Sequence, residues 1–331
     1  MTAPHPGELA PPPKFALPPE FALIARHFRP LAGPGALDLG DDAAVFMPPA
    51  GRELVAAADA MVAGVHFLAD DPPGLVARKL LRTNLSDLAA MGAVPLGYLL
   101  TVSVPRDTPE AWFAGFAAGL AADQAEFGVF LLGGDTTSTP GPVSLSLTIL
   151  GSVAPGTALR RRGAAAGDGV WVSGCIGDGA LGLLAARGEL DDPDGYLAGR
   201  YRLPQPRLAL GRRLAGVASA AMDVSDGLVQ DLGHLCRAGG LGAEIFASDL
   251  PLSVAARRAD RLDLCLTGGD DYELLLAVPP GREPALLAAA EAAGTAVTRI
   301  GRFAAGAPVV VVRDASGVDI TPRIGGWSHF P

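Results

Sequence analysis

The sequence predicts an α/β fold in which helices cover sheets, divided between two domains. Short apolar runs rich in Val, Leu and Ile alternate with longer Ala- and Leu-rich stretches, the order expected of layered α/β or α+β proteins. At 331 residues the chain exceeds the usual size of one hydrophobic core and fits two domains of ordinary length. Hydrophobic residues make up 49% of the chain and charged residues 18%, so a folded protein is expected.

The strands are predicted from short apolar runs bounded by turn residues. They are Leu54–Ala58, Leu96–Val104, Val129–Leu132, Val143–Ile149, Val170–Ser173, Leu274–Val278 and Val309–Val312. The longer stretches predict helices over Ala77–Met91, Pro109–Glu126, Ala180–Ala186, Pro206–Ala218 and Glu283–Ala293. A further apolar run, Leu264–Thr267, is expected to be a strand that leads into Gly268.

Domain limits are predicted from changes in composition. Residues 1–19 contain a series of prolines and are expected to be a flexible lead-in outside the fold. The composition changes again near Ala154–Gly156, just before Arg160, Arg161 and Arg162. The expected domains are therefore residues 20–154 and residues 155–331.

Charge and cysteine content exclude several classes of function. A formal charge of −9 argues against nucleic-acid binding, and only Lys14 and Lys79 are lysines, so no polybasic lipid-binding patch exists. The three cysteines are far apart and form no C-x-x-C pair, which favours a reducing, cytoplasmic location. The uncharged run 88–105 is interrupted by Gly92 and Pro95, so a helix end, a turn and a strand are expected instead of a membrane span.

Aspartates recur beside glycine or inside apolar segments, where an isolated charge would be expensive to bury. They are Asp41, Asp42, Asp59, Asp87, Asp135, Asp223, Asp226, Asp270 and Asp271. Oxygen ligands without histidine or cysteine suit Mg²⁺ better than zinc or copper. Singly, each motif is equally explained by a turn or, at Ser86-Asp87 and Ser225-Asp226, by a helix N-cap. Together they favour a metal site.

The predicted helix over Ala77–Met91 leaves one question open. Leu81, Leu85 and Leu88 share one face, whereas Lys79, Thr83, Asn84 and Asp87 lie on the other side. The polar side is either a solvated surface or part of a metal–phosphate site.

Several nucleotide-binding and catalytic motifs are absent from the chain. There is no P-loop, no protein-kinase motif, no G-x-S-x-G and no H-E-x-x-H. A G-x-G-x-x-G does occur at Gly177, Gly179 and Gly182, but no acidic residue closes a second strand about 20 residues later. We therefore discount a dinucleotide site, although a helix N-terminus near a phosphate is compatible with this segment.

Taken together, the motifs resemble the thiamine-monophosphate kinases, within the superfamily of aminoimidazole-ribonucleotide synthetase-like ATP enzymes. The resemblance covers nearly the whole chain after the Pro-rich segment, and its order and number of motifs make it specific. The matching stretches are Glu20–Phe28, Gly40–Val45, Asp59–Phe67, Asn84–Ala93, Gly133–Thr137, Asp223–Leu228, Gly268–Leu274 and Gly326–Phe330.

The resemblance implies a homodimer in which each N-terminal α/β domain contributes to a shared β-barrel, with ATP and several Mg²⁺ ions in the cleft. The reaction implied is transfer of a phosphoryl group from ATP to the phosphate of thiamine monophosphate. By position, the implied magnesium ligands are Asp42, Ala58 through its carbonyl group, Asp59, Asp87, Asp135, Asp223 and Asp226. Of these, Asp42, Asp87, Asp135 and Asp226 are the implied catalytic residues.

The same resemblance implies the two substrate sites. Gly134, Asp135, Arg161 and Ser225 correspond to nucleotide contacts, and His66, Asp270 and Trp327 to thiamine-phosphate contacts. Two positions depart from the family pattern. Ala57 and Ala58 replace hydroxyl residues, so only backbone carbonyls remain as ligands there, and Asp270 replaces a glutamate, which shortens its reach by one methylene.

Two alternative functions are retained. The first is another synthetase of the superfamily, for selenophosphate or aminoimidazole ribonucleotide. The N-terminal segment has no cysteine for the selenophosphate reaction, and the runs Val62–Phe67 and Gly326–Phe330 favour the thiamine enzyme. The second is a nucleotide-binding regulator without catalytic activity, which the complete aspartate set disfavours.

Overall fold

The computed structural model describes residues 19–329. The lead-in expected over residues 1–19 lies outside them apart from Pro19, where α1 begins. The strands are β1 Glu53–Val62, β2 Val94–Val104, β3 Phe130–Ser138, β4 Ser144–Val153, β5 Gly169–Ser173, β6 Ala220–Asp223, β7 Gly242–Phe246, β8 Leu274–Val278, β9 Val297–Ala304 and β10 Val310–Arg313. The helices are α1 Pro19–Leu23, α2 Pro73–Ala90, α3 Glu110–Phe127, α4 Asp178–Ala186, α5 Tyr196–Arg202, α6 Leu208–Gly211, α7 Leu228–Gly239, α8 Val254–Ala259, α9 Leu262–Thr267 and α10 Glu283–Ala293.

The N-terminal half forms a four-stranded sheet in the order β1-β4-β2-β3. β4 pairs antiparallel with both β1 and β2, whereas β2 and β3 are parallel. Residues along β4 alternate between buried and half-buried, as expected of a sheet that is packed on one face only. β1 and β3 are the two edge strands of this sheet.

α2 and α3 pack against each other beside this sheet. α2 begins with Pro73, which is favourable in a first helical turn because its missing N–H would have no partner there. Glycines permit a close approach, since a Cβ on Gly119 of α3 would clash with the carbonyl oxygen of Gly74 in α2. α3 ends at Gly128, whose φ of 66° is the left-handed conformation that glycine adopts without strain.

The C-terminal half forms a six-stranded sheet in the order β10-β7-β9-β5-β8-β6. β7 and β10 are parallel, and the other pairs are antiparallel. β5, β6 and β8 are buried along their whole length, so both faces of the sheet centre are covered. α7 packs on one face against β6, β7 and β10.

α2 lies between the two halves of the molecule. Leu85 of α2 belongs to the same buried cluster as Ile149 of the first sheet and as Leu274 and Leu276 of the second. The opposite face of the second sheet forms a separate core that includes Val172, Leu232 and Ile300. α2 is therefore held from both sides, which fixes the polar residues along it relative to both sheets.

Two of the predicted elements are wrong. Leu264–Thr267 was expected to be a strand but lies in helix α9, because a short apolar run carries no period that distinguishes the two states. The helix expected over Pro206–Ala218 is reduced to α6, Leu208–Gly211, followed by turns. Ser86 and Asp87 lie inside α2, so the N-cap alternative is also wrong for this pair.

The uncharged run 88–105 folds as expected into the end of α2, a turn and β2. Among residues 19–329, none of the helices has the length and apolar character needed to cross a bilayer.

Candidate active site

A cleft of about 940 Å³ opens between the first sheet and the second domain. Its walls are contributed by β1, α2, α4, the turns around β6 and the segment 264–272, and residues 324–329 close one side. Most of the site residues predicted from the sequence line it. They are Ala58, Asp59, His66, Asp87, Arg161, Asp223, Ser225, Asp226, Asp270 and Trp327.

Four carboxylates come together here from separate elements. Asp59 lies in β1, and its backbone N–H donates to Asn84 Oδ1 in α2 at 3.2 Å. Asp87 lies in the last turns of α2, Asp223 ends β6, and Asp226 lies in the turn before α7. Ser86 Oγ donates to Asp223 Oδ2 at 2.7 Å, which ties α2 to the end of β6.

The charges of this group oppose one another. Burial, followed by the charges of Asp223 and Asp226, raises the pKa of Asp59 to about 6. Burial, followed by Asp223 and Asp59, raises the pKa of Asp87 well above its usual range, although Arg161 opposes the shift. Burial likewise raises the pKa of Asp223. A bound cation would remove the repulsion that produces part of these shifts.

The donor set suits magnesium in its chemistry. All four side chains offer hard carboxylate oxygens, with no cysteine or histidine among them. Within residues 19–329, no three His, Cys, Asp or Glu side chains are close enough together to form a finished metal cage. Mg²⁺ ordinarily takes one or two carboxylates together with water and substrate phosphates, so a spread set of carboxylates is compatible with it.

Arg161 brings a positive charge to the same wall. The carbonyl oxygen of the adjacent Arg160 accepts from Ala221 N–H at 2.9 Å, which holds the arginine triplet alongside β6. Arg161 lowers the pKa of both Asp87 and Asp223, so its guanidinium acts electrostatically on the carboxylate group. A polyanion bound here would meet this cation directly.

His66 and Asp270 line the same cleft. His66 Nδ1 lies 3.0 Å from the backbone N–H of Val62, which can only donate, so Nδ1 is the acceptor and a neutral ring carries its proton on Nε2. Burial and then His329 lower the pKa of His66, which favours this neutral form. Asp270 Oδ2 accepts from Lys79 Nζ at 2.9 Å and Oδ1 accepts from Tyr272 Oη at 3.1 Å.

The C-terminal segment also lines the cleft, beside Asp226. Trp327 N–H donates to the carbonyl oxygen of Asp226 at 2.9 Å, and Gln230 Nε2 donates to the Trp327 carbonyl oxygen at 2.6 Å. Trp327 is 55% exposed and lines the cleft, so part of its aromatic side chain is accessible to a ligand there. The ring centroids of His66 and His329 are 5.0 Å apart.

Three predicted residues are not part of the cleft wall. Asp42 is exposed in the loop that follows Gly40. Gly134 and Asp135 lie in edge strand β3, exposed to solvent and opposite Leu100 and Thr101 of β2. A Cβ on Gly134 would clash with the Leu100 carbonyl oxygen, so packing alone already requires glycine there.

Several residues in and beside the cleft have contacts that the sequence does not predict. Lys79 and Tyr272 hold Asp270, and the Asp231 carboxylate accepts from the backbone N–H groups of Ser225, Asp226 and Gly227 at 3.0 to 3.2 Å. The spacing of Lys79, Thr83 and Asp87 at i, i+4 and i+8 was the available signal, since it places all three on one helix face. That face is buried and is not a solvated surface, because Lys79 and Thr83 are each 2% exposed.

The glycine-rich turn before α4 does not present a free helix N-terminus. Asp271 Oδ2 accepts from Gly177 N–H at 2.7 Å, and Oδ1 accepts from Gly179 N–H at 3.0 Å. A side-chain carboxylate therefore occupies the position that a phosphate would take, and this settles the alternative left open for the segment.

Comparison with known proteins gives consistent matches over nearly the whole chain. The family model "AIR synthase related protein, N-terminal domain" matches residues 40–153, and "AIR synthase related protein, C-terminal domain" matches residues 165–314. A thiamine-monophosphate kinase of Caulobacter vibrioides is 48% identical over 328 residues, which are 96% of this chain and 92% of the relative.

Solved structures agree with these matches. The crystal structure of thiamine-monophosphate kinase from Stenotrophomonas maltophilia K279a superimposes with a TM-score of 0.81 at 42% identity, over 89% of this chain and 96% of that one. The structure of AaThiL complexed with AMPPCP and TMP gives a TM-score of 0.75 at 30% identity, over 94% of this chain and 97% of that one.

Proposed function

The chain belongs to the thiamine-monophosphate kinases of the AIR synthase related proteins, and we propose that it transfers the γ-phosphoryl group of ATP directly to thiamine monophosphate, giving thiamine diphosphate and ADP. One observation on this chain itself supports the proposal. A single cleft is lined both by an acidic group with an adjacent arginine and by His66, Asp270 and Trp327. The first arrangement suits metal-bound polyphosphate and the second suits a ring-containing acceptor.

The proposed reaction needs no general base. The acceptor is a phosphate monoester, whose second pKa of about 6 leaves it mostly dianionic at neutral pH. The barrier to be lowered is the repulsion between two phosphate anions held in line. Arg161 is placed to neutralise part of that charge, and His66, neutral with its proton on Nε2, can donate one hydrogen bond to the acceptor.

We propose that the acidic group holds several Mg²⁺ ions. Asp59, Asp87, Asp223 and Asp226 are the ligands offered by the cleft, with the Ala58 carbonyl oxygen beside them. Mg²⁺ held by these residues would offset the negative charge of the phosphate groups. Asp87, in α2, and Asp226, in the turn before α7, fix the arrangement of these ligands. Ser225 and Arg161 are the proposed nucleotide contacts on this side.

We further propose a homodimer whose N-terminal sheets form a shared barrel. In the described part of the chain no further strand pairs with the outer edge of β1 or of β3, apart from an isolated bridge between Ala32 and Leu131, and unpaired edges favour pairing with another chain. Gly134 and Asp135 lie on such an edge, and Asp42 lies on an exposed loop. We propose that these three residues join the nucleotide and metal site on dimerisation, with Asp42 and Asp135 as ligands.

The proposed location is the cytoplasm. Cys175, Cys236 and Cys265 are all free thiols, two of them buried, as expected in a reducing compartment. We also propose that the division between the two domains lies at residue 154, directly after β4.

The direct test is product formation by the purified protein with ATP and Mg²⁺, with and without thiamine monophosphate. Thiamine, selenide and aminoimidazole-pathway precursors serve as alternative acceptors in parallel reactions. We expect ADP and thiamine diphosphate in equal amounts, only when thiamine monophosphate is present. Turnover with a different acceptor and none with thiamine monophosphate would overturn the proposed substrate. ATP binding without turnover on any acceptor would favour the non-catalytic regulator.

A further inference from the structure

Lys79 is a buried cation that is not among the proposed metal, nucleotide or acceptor contacts. It lies in α2, it is 2% exposed, and it is the only lysine among the described residues. A buried ammonium group is unfavourable unless its charge and its donors are satisfied, and burial lowers the pKa of Lys79 for this reason. Its partners therefore indicate what the residue is for.

Lys79 contacts both His66 and Asp270, the proposed acceptor residues, and the ring of Tyr201. Nζ donates to Asp270 Oδ2 at 2.9 Å and to the His66 carbonyl oxygen at 3.0 Å. It also lies 3.6 Å from the centroid of the Tyr201 ring, a cation–π contact that shields it from water. Tyr201 Oη lies 3.4 Å from the same His66 carbonyl oxygen.

The contacts of Lys79 cross between the two halves of the molecule. His66 follows β1 in the N-terminal half, whereas Asp270 precedes β8 in the C-terminal half. A single ammonium group thus connects the two proposed acceptor contacts across the cleft. Asp270 itself has a φ of 70°, unusual for a residue with a side chain, and its two carboxylate oxygens are held separately by Lys79 and Tyr272.

We propose that Lys79 is a positioning residue that sets the affinity for the phosphorylated acceptor by fixing Asp270 relative to His66. The inference rests on the proposed function, because it assigns Asp270 and His66 to the acceptor. Lys79 also neutralises Asp270, so the cleft wall at Asp270 is less acidic than the wall formed by Asp59, Asp87, Asp223 and Asp226. A dianionic phosphate entering there meets a paired carboxylate and not a free one.

The same helix supplies a matched control. Arg82 is also a buried cation of α2, 1% exposed, but its carboxylate partners are Asp123 and Glu126 of α3, neither of which is a proposed acceptor contact. Substitution of either residue by methionine removes a buried charge and keeps an unbranched apolar side chain. Only the Lys79 variant is expected to affect the acceptor selectively.

The experiment measures KM for thiamine monophosphate, KM for ATP and kcat in the wild type, Lys79→Met and Arg82→Met. Loss of the ammonium leaves Asp270 without its charged partner, so we expect Lys79→Met to raise KM for thiamine monophosphate by about tenfold or more. KM for ATP should change by less than about twofold, because residues that share no contacts affect binding nearly independently. Arg82→Met should lower the melting temperature without this selectivity.

A second variant keeps the test decisive if Lys79→Met folds poorly. Asp270→Asn removes the carboxylate through which Lys79 is proposed to act, and the double variant Lys79→Met/Asp270→Asn contains no unpaired charge at this point. Adding Lys79→Met to Asp270→Asn should change KM for thiamine monophosphate by less than about threefold. A further tenfold rise in the double variant, or equal effects of Lys79→Met on both KM values, would overturn the proposal.

Turnover by the wild-type protein distinguishes a failure of this inference from a failure of the proposed function. Absence of turnover with thiamine monophosphate contradicts the function alone, and the same comparison is then made with the acceptor that the wild type does use. A selective rise in the KM of that acceptor supports the positioning role, and an unchanged KM contradicts it.

Discussion

At the scale of single residues, Asp87 illustrates a conflict between stability and function. Burial and two neighbouring carboxylates raise its pKa well above the ordinary range, so the ionised form is unfavourable in the protein without metal. Proteins retain such arrangements where activity needs them, and a substitution that relieves the repulsion commonly stabilises the fold. The same carboxylate can therefore weaken the apoprotein and still be required for turnover.

We predict that Asp87→Asn lowers kcat by roughly 100-fold or more, since even partners of metal ligands contribute 10- to 100-fold to activity. The melting temperature in EDTA should stay unchanged or rise, because the amide is neutral and nearly isosteric. Asp123→Asn is the control: Asp123 is fully buried between Arg78 and Arg82, so its loss should lower the melting temperature. Near-normal turnover of Asp87→Asn with Mg²⁺ would contradict the role of Asp87.

Asp59 gives a prediction about pH. Its pKa is raised from 3.8 to about 6, so between these values the folded protein without metal binds a proton that the unfolded chain has released. The contribution of Asp59 to stability is therefore complete below pH 3.8 and is lost as the pH rises through about 6. Mg²⁺ requires the ionised carboxylate, so metal binding should release protons in this range.

The corresponding measurement is titration calorimetry of Mg²⁺ binding with AMPPCP present, in two buffers that differ in ionisation enthalpy. We expect the affinity to rise between about pH 5 and pH 7, with proton release, because the ligands must be deprotonated. The same titration of Asp59→Asn measures the protons that come from the nucleotide and from the other carboxylates. The difference between wild type and variant is then the proton released by Asp59. Equal proton release by the variant and the wild type would argue against Asp59 as a ligand.

At the scale of elements, α2 organises the site. Its polar face presents Thr83 and Asp87 to the cleft and holds Lys79 against Asp270, while Leu85 joins the buried cluster shared by both halves. The position of this helix depends on close packing against α3, where a Cβ on Gly119 would clash with the backbone of Gly74. A displacement of α2 would move Asp87 and Lys79 together.

We predict that Gly119→Ala destabilises the protein by about 1–3 kcal/mol, the usual effect of overpacking, and lowers kcat more than the loss of stability explains. The control is Gly128→Ala at the end of α3, where a Cβ would meet no atom and only the left-handed φ of 66° is unfavourable. That strain is worth about 1–2 kcal/mol and leaves α2 in place, so kcat should not change. Chemical denaturation and steady-state kinetics measure both quantities, and equal kcat values in the two variants would contradict the role given to the helix contact.

The elements that could be predicted from sequence are those with a strong period or sufficient length. α3 and β2 were found within a few residues, because a long Ala-rich stretch and a nine-residue apolar run are distinctive. β6 was missed, since Ala220–Asp223 is only four residues long and contains no β-branched or aromatic residue. The helix α9 was mistaken for a strand because six residues show no usable period.

The site was predictable to a different extent. The aspartates could be found because carboxylates beside glycine are unusual in apolar segments, and the resemblance assigned their roles. Lys79 was not assigned, because its burial depends on Tyr201 and Asp270, which lie far away in the sequence. Which motifs share one cleft also depends on how the two halves pack, and no local pattern contains that information.

At the scale of the whole molecule, the first sheet is covered on one side only. α2 and α3 pack on one face, while Leu54 of β1, Leu99 of β2 and Phe130 of β3 are 51%, 43% and 41% exposed. No element among residues 19–329 pairs with the outer edge of β1 or β3 along its length. Exposed apolar residues next to unpaired edges are typical of an interface between chains.

We therefore predict that the protein is a homodimer in solution and that Phe130→Asp shifts it toward monomer. The new charge lies on edge strand β3, where burial against a second sheet would be unfavourable without a partner charge. Val254→Asp is the control, since Val254 is 84% exposed on α8 in the other half of the molecule. Light scattering at several protein concentrations should show the dimer mass for the wild type and the control, and a smaller mass for Phe130→Asp. Because Asp135 lies on the same strand and is proposed to complete the metal site on dimerisation, turnover per chain should fall with dilution in parallel with the dimer fraction. A fully active monomer would contradict both the dimer and the assignment of Asp135.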